Sequence, residues 1–297
     1  MGAKLSLTIA LGLAFLFGAS SDFVLQASAQ TVAEVRSNKV EERQLKSKLM
    51  ARDMPYRVIL PAKYSTKSNE RFPVIYLLHG LTGNYKNWVD KTDVEQFGVG
   101  YDFVIVTPDG NNGWYTDSVG APNDKFESYI VKELIPEIER DFRVVADRGH
   151  RMIAGLSMGG YGSIKFGLKY PDMFSMVGSF SGALGAASFT EKNAGVNIGR
   201  AIDQIYGPEG SETRSSNDIF KIVRDAAPDR VKAMPFIYQS CGTEDFLIGN
   251  NRDFLALMNE KKLAHEYREH PGVHDWVFWN DQVREFLAVA ERALPKK

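Results

Sequence analysis

The chain has 297 residues, 44% hydrophobic and 25% charged, which is ordinary globular composition with enough length to bury a sizeable core. Its 36 basic and 37 acidic side chains leave a net charge of −1, so there is no electrostatic case for nucleic acid or an anionic membrane surface as a partner. One cysteine, Cys241, excludes an intramolecular disulfide, and its place at the end of an apolar stretch reads as a buried, inert thiol.

The chain opens with Lys4 ahead of an apolar run from Leu5 to Phe17, broken by Ser6, Thr8 and Gly12. Ala27-Ser28-Ala29 then offers an A-x-A cleavage site before Gln30. That order predicts a secretory signal over residues 1–29 and one exported domain, periplasmic or extracellular, over 30–297. The run is short of the ~20 residues of a spanning helix, which favours removal over retention as an anchor. With the signal removed, no membrane partner is expected. Residues 31–55 are polar and charged and read as a surface lead-in with room for an edge strand.

Apolar β-rich runs then alternate with helical patterns. Val74 to Leu78, Phe103 to Thr107, Met152 to Ala154, Met176 to Phe180 and Phe236 to Ser240 read as strands, and residues 265–270 as a further one. Runs without polar alternation are buried on both faces, which predicts a parallel sheet covered by helices. From Asp124, apolar residues at Phe126, Tyr129, Ile130, Leu134, Ile135, Ile138 and Phe142 recur in steps of three and four. Asp124 with Glu127 reads as a capping pair, and Pro136 as a kink. Ser163 to Tyr170, Arg252 to Lys262 and Asp281 to Leu294 give further helices. The alternation predicts a doubly wound α/β sheet. Residues 181–232 interrupt it, and fit either a lid-like insertion over the site or an ordinary surface excursion.

Gly155-Leu156-Ser157-Met158-Gly159 is a G-x-S-x-G motif between a short apolar strand and a helix. A serine on a sharp strand-to-helix turn needs small neighbours two residues away on each side, and there its hydroxyl stands clear of the sheet. A hydroxyl needs a base and an oriented acid to act as nucleophile. Of the five histidines, His265 and His270 bracket a strand and His150 precedes the nucleophile strand at its wrong end. His274, in the loop after the last strand, is preferred over His270. The acid belongs after residues 236–240, where Asp245 is preferred over its neighbour Glu244. Asp275, adjacent to His274, reads as structural. For the oxyanion, the Met158 N–H and the Leu81 N–H in His79-Gly80-Leu81-Thr82-Gly83 are the candidate donors, with His79 shaping that loop. Trp114, Tyr115 and Trp276 fall in loops that border the site, where they either stack on a sugar or aromatic acyl group or pack the loops.

His79–Gly83, Gly155–Gly160, Gly242–Asp245 and Pro271–Trp276, in that order, resemble the esterase D family, as do Trp114–Ser118 and Tyr170–Phe174. Relatives include S-formylglutathione hydrolases, feruloyl and acetylxylan esterases, short-chain acyl esterases and mycolyltransferases. The resemblance covers about residues 50–293. It implies the α/β-hydrolase fold, a Ser157–His274–Asp245 triad, an oxyanion hole at Leu81 and Met158, and neither metal nor cofactor. No His/Cys cluster with ligand spacing and no phosphate loop stands against that, and Asp109-Gly110-Asn111-Asn112-Gly113 lacks the rest of a calcium loop. The expected activity is hydrolysis of short-chain, feruloyl or acetyl esters, small or carbohydrate-linked. Acyl transfer to a sugar is the alternative, and a non-catalytic binding protein would show a broken triad.

Overall fold

In the computed structural model, which describes residues 39–64 and 69–295, eight strands form one sheet. The expected leader over 1–29 lies outside the described residues. The strands are β1 (Lys39–Ser47), β2 (Arg52–Leu60), β3 (Val74–Leu78), β4 (Val104–Pro108), β5 (Arg151–Leu156), β6 (Met176–Phe180), β7 (Phe236–Gly242) and β8 (His265–His270). Their order across the sheet is β1-β2-β4-β3-β5-β6-β7-β8. The β1/β2 and β2/β4 pairs are antiparallel, and every pair beyond is parallel.

The helices are α1 (Asn87–Lys91), α2 (Val94–Phe97), α3 (126–141), α4 (Met158–Lys169), α5 (Glu191–Ala194), α6 (Val196–Tyr206), α7 (Glu212–Asn217), α8 (Ile219–Arg224), α9 (Pro228–Ala233), α10 (Ile248–Lys261) and α11 (Trp276–Ala293). Strand side chains divide by the period of two. Val74, Tyr76, Leu78, Val106, Ile153 and Val177 join a core closed by α3, α4 and α10. Ile75, Leu77, Ile105, Met152, Ala154 and Phe180 join another closed by α1, α2 and α11. Covering both faces explains why the central strands carry no polar alternation.

One local reading changes and two are refined. Residues 39–55 hold the edge strand for which the sequence left room: β1 and β2 pair along their whole length, with Leu45, Met50 and Met54 buried. Their charged residues crowd the exposed edge, which masks the strand pattern in the sequence. Asp124 and Glu127 do not cap α3; Asp124 pairs with Arg52 at 2.8 Å, and Glu127 is buried against Lys165 and Lys169 at 2.9 and 2.6 Å. Tertiary charge pairing has claimed the carboxylate that the local pattern reserved for a backbone N–H. α3 contains a π-helical turn, Ile130–Leu134, ending two residues before Pro136. A wider turn there accommodates a ring that lacks an N–H and would collide with the preceding turn. The segment 181–232 lies between β6 and β7 and folds as α5 to α9, with Ile202, Tyr206, Ile219 and Val223 in the core.

Candidate active site

β5 ends in a turn that Ser157 makes with φ 51° and ψ −115°, a strained backbone for a residue with a side chain. Its N–H donates to the Phe180 carbonyl at 2.9 Å, and its carbonyl accepts from the Ala183 N–H at 3.0 Å. A Cβ on Gly155 would lie 2.6 Å from the Gly159 carbonyl, and one on Gly159 would lie 2.5 Å from the Leu78 oxygen. The glycines let β5, α4 and the end of β3 meet.

The loop between β8 and α11 brings His274 over this turn. Its Nε2 is 3.0 Å from Ser157 Oγ and its Nδ1 is 2.8 Å from Asp245 Oδ2. Asp245 lies just beyond β7, and its other oxygen accepts from the Leu247 N–H at 2.8 Å. Burial alone would raise this carboxyl, but the hydrogen bonds from His274 and Leu247 hold it below its usual range. Asp245 therefore stays ionised and fixes the His274 tautomer with the proton on Nδ1. Glu244 accepts from the Gly272 N–H at 2.6 Å and braces the His274 loop from outside. Asp275 caps α11 by accepting from the Phe278 N–H at 3.0 Å. His270 lies 3.5 Å from Glu285, His265 bonds the Leu263 carbonyl and His150 pairs with Asp147, so none of the three joins Ser157.

The Leu81 loop is set by His79, which is buried and consequently depressed in pKa. Its Nδ1 donates to the Gly80 carbonyl and its Nε2 accepts from the Gly110 N–H, both at 2.8 Å. The Thr82 N–H donates to Asn112 Oδ1 at 2.7 Å, so the turn at 109–113 buttresses the loop. Neither the Leu81 nor the Met158 N–H is bonded to a backbone acceptor, and Met158 opens α4, where amides have no helical partner.

A cavity of about 760 Å³ opens over Ser157 and His274. Trp114 and Phe189, in edge contact at 5.9 Å, line it with Ile198, and so do Lys91 and Trp276, 5.3 Å apart. Tyr115 does not reach it. That ring is wholly buried against Gly110 and Gly162, with its hydroxyl donating to the His79 carbonyl at 2.9 Å. It packs the loop, because the adjacent backbone turn gives the cavity to Trp114 alone. Residues absent from the sequence reading also shape the site. Phe246, 76% exposed, lies 4.6 Å from the His274 ring, and Trp279 meets that ring edge-on at 4.9 Å. Adjacency to Asp245 was the signal available for Phe246; for Phe189 and Ile198, inside the irregular segment, there was none.

Behind Trp114 lies Lys165, fully buried on α4. Its Nζ donates to the Tyr115 carbonyl and Thr116 Oγ1 at 2.7 and 2.6 Å and pairs with Glu127. Trp114 and Tyr115 both have left-handed backbones, at φ 50° and 52°, which this clamp holds in place. Although burial alone would raise Glu127, the ammonium groups of Lys165 and Lys169 bring it down to about 2. Cys241 is buried and its thiol is pushed up to about 12, chiefly by desolvation. Among the described residues, no group of three or more His, Cys, Asp or Glu is placed to hold a metal ion, and no helix is long and apolar enough to cross a membrane.

Comparison with known proteins gives the family. The profile described as "Putative esterase" matches residues 47–288. An acetyl esterase from Caldicellulosiruptor saccharolyticus is 30% identical over 251 residues, spanning 80% of this chain and 92% of that protein. Among solved structures, a ferulic acid esterase is 29% identical with a TM-score of 0.75, covering 87% of this chain and 99% of its own. An S-formylglutathione hydrolase from Agrobacterium tumefaciens, 21% identical, shares the fold with a TM-score of 0.76 over 88% of this chain and 97% of its own. The chain belongs to the Esterase family, has the α/β-hydrolase fold, and is an esterase.

Proposed function

We propose that Ser157, His274 and Asp245 are the catalytic triad of an exported carboxylic-ester hydrolase that forms an acyl-enzyme on short-chain, acetyl or feruloyl esters. The observation that carries this reading is the hydrogen-bonded line from Asp245 through His274 to Ser157 at the floor of the cavity. Ser157 Oγ attacks the ester carbonyl while His274 Nε2 takes its proton, and ionised Asp245 stabilises the imidazolium that forms. The carbonyl oxygen becomes an oxyanion directed at the Leu81 and Met158 N–H groups, which have no competing backbone acceptor. His274 then protonates the leaving alcohol, and water activated by the same ring releases the acid from Ser157.

The acyl group lies against Trp114, Phe189 and Ile198, an apolar wall to which the insertion at 181–232 contributes as a lid. Ring-sized space beside small aliphatic contacts suits acetyl and feruloyl groups alike, and the names of an acetyl esterase at 30% identity and a ferulic acid esterase at 29% point to both. The apolar run and the A-x-A site support export with removal of residues 1–29.

A panel of p-nitrophenyl acyl esters, methyl ferulate and acetylated xylan, run beside Ser157→Ala, tests the reading. Turnover that survives this substitution rejects the triad. N-terminal sequencing of the exported protein is expected to begin at Gln30.

A further inference from the structure

The apolar wall of the cavity comes from two separate parts of the chain. Trp114 belongs to the loop after β4, whereas Phe189 and Ile198 belong to the insertion between β6 and β7. The Trp114 and Phe189 rings stand 86° apart at 5.9 Å and form a corner. Tyr161 on α4 backs Trp114 edge-on at 6.1 Å. Such a corner keeps its shape only if loop and insertion are held together.

A buried line of hydrogen bonds holds them. Lys165 Nζ, Thr116 Oγ1, Tyr206 OH, Tyr161 OH and the Asn217 carbonyl follow one another at 2.6, 3.1, 3.0 and 2.8 Å. An ammonium only donates and a carbonyl only accepts, so the two ends fix every proton between them. Lys165 donates to Thr116, Thr116 to Tyr206, Tyr206 to Tyr161, and Tyr161 to Asn217. The line starts at a charge and runs one way through a buried interior, so each bond polarises the next. Two of its members belong to the insertion: Tyr206 ends α6 and Asn217 ends α7. The Val119 and Gly120 N–H groups add bonds to the Ile205 and Gln204 carbonyls, both at 2.9 Å. Within the insertion, buried Arg214 donates to the Gly207 and Phe189 carbonyls at 2.7 and 2.9 Å, which passes the placement of Tyr206 on to Phe189.

The line lies behind the cavity wall, clear of Ser157 and His274. Its consequence is therefore the shape of the acyl site. A rigid planar acyl group needs a ring face and a ring edge at a set angle, whereas a flexible alkanoyl chain adapts to either ring alone. We propose that Tyr206 is a specificity-determining positioning residue, whose hydroxyl locks the insertion to the Trp114 loop and so favours planar conjugated acyl groups over flexible ones. This rests on the ester-hydrolase reading of the cavity.

The test compares kcat/KM for 4-nitrophenyl ferulate and 4-nitrophenyl hexanoate, which share a leaving group. The parent should prefer the ferulate. Tyr206→Phe keeps the ring and leaves Thr116 the Trp114 carbonyl, at 3.0 Å, as its acceptor. It should cut the ferulate-to-hexanoate ratio about fivefold, through a raised KM for the ferulate, with kcat on the hexanoate unchanged. Thr116→Val should act alike, and the double variant should fall no further than either single one, because both break the same line. Tyr56→Phe, which removes a tyrosine hydroxyl bonded to Glu137 and not to the insertion, should leave the ratio alone. A parent that prefers the hexanoate, a ratio that Tyr206→Phe does not move, an equal fall in kcat on both esters, or the same change from Tyr56→Phe overturns the assignment. A parent inert on both esters removes the ester-hydrolase reading beneath it, a separable outcome.

Discussion

Two loops meet at the candidate site, and opposite means fix them. The turn at Ser157 is set locally: the strained residue is flanked by Gly155 and Gly159, whose missing side chains let β5, α4 and the end of β3 approach closely. The loop at Trp114–Thr116 is set from a distance, since nothing beside Trp114 or Tyr115 in the sequence explains their left-handed backbones. A buried ammonium on α4, itself neutralised by a carboxylate on α3, anchors that loop. The first device is compact and chemical; the second depends on a buried charge network, which is costly to break when one partner is removed.

Substitutions in each loop should therefore fail differently. Ser157→Ala is expected to lower kcat by about 10⁶-fold with the thermal midpoint barely changed. Asp245→Asn should cost about 10⁴-fold in kcat, because the amide favours the wrong His274 tautomer. Stopped assays on a p-nitrophenyl ester, paired with thermal unfolding, check both. Lys165→Met inverts the pattern: it leaves Glu127 buried with less compensation, and a loss of about 3–5 kcal/mol is expected in denaturant titration. Activity should fall less than in either triad variant, and through KM, since Trp114 shifts while Ser157 does not. A Lys165→Met protein with wild-type stability but no turnover would erase the contrast between the loops.

Acid sharpens the same comparison. Glu127 is held at about 2 in the folded protein against an ordinary 4.5, so its stabilising contribution is complete above pH 4.5 and is lost as the pH falls toward 2. Unfolding measured across that window should show a steeper acid loss for the parent than for Glu127→Gln, which has no proton to gain at that position. Equal slopes would mean that the α3–α4 charge network contributes little.

How much was legible beforehand follows the same division. The strand order along the chain, the helices between them and the Ser157 turn could be read because each depends on residues close together: apolar runs, steps of three and four, glycines at fixed offsets. The choice of His274 over His270 followed from loop against strand, and the structure does set His274 beside Ser157 and Asp245. The errors lie where a local pattern competed with a distant partner. Asp124 and Glu127 matched a cap, yet both were taken by basic residues elsewhere in the fold. For charged β1 the sequence left room for an edge strand, but its pairing with β2 is not written in its own composition.

The sequence by itself determined the fold class, the position of the candidate nucleophile and the short set of groups able to serve it. Periodicity and backbone sterics act over a few residues, and those few were present. Tertiary structure alone decided that Tyr115 is buried while Trp114 faces the cavity, that Phe246 covers His274, and that Tyr206 of the insertion meets Tyr161. Those outcomes depend on which of several distant side chains fills a given space. Close packing settles that competition only once the whole sheet and its helices are assembled.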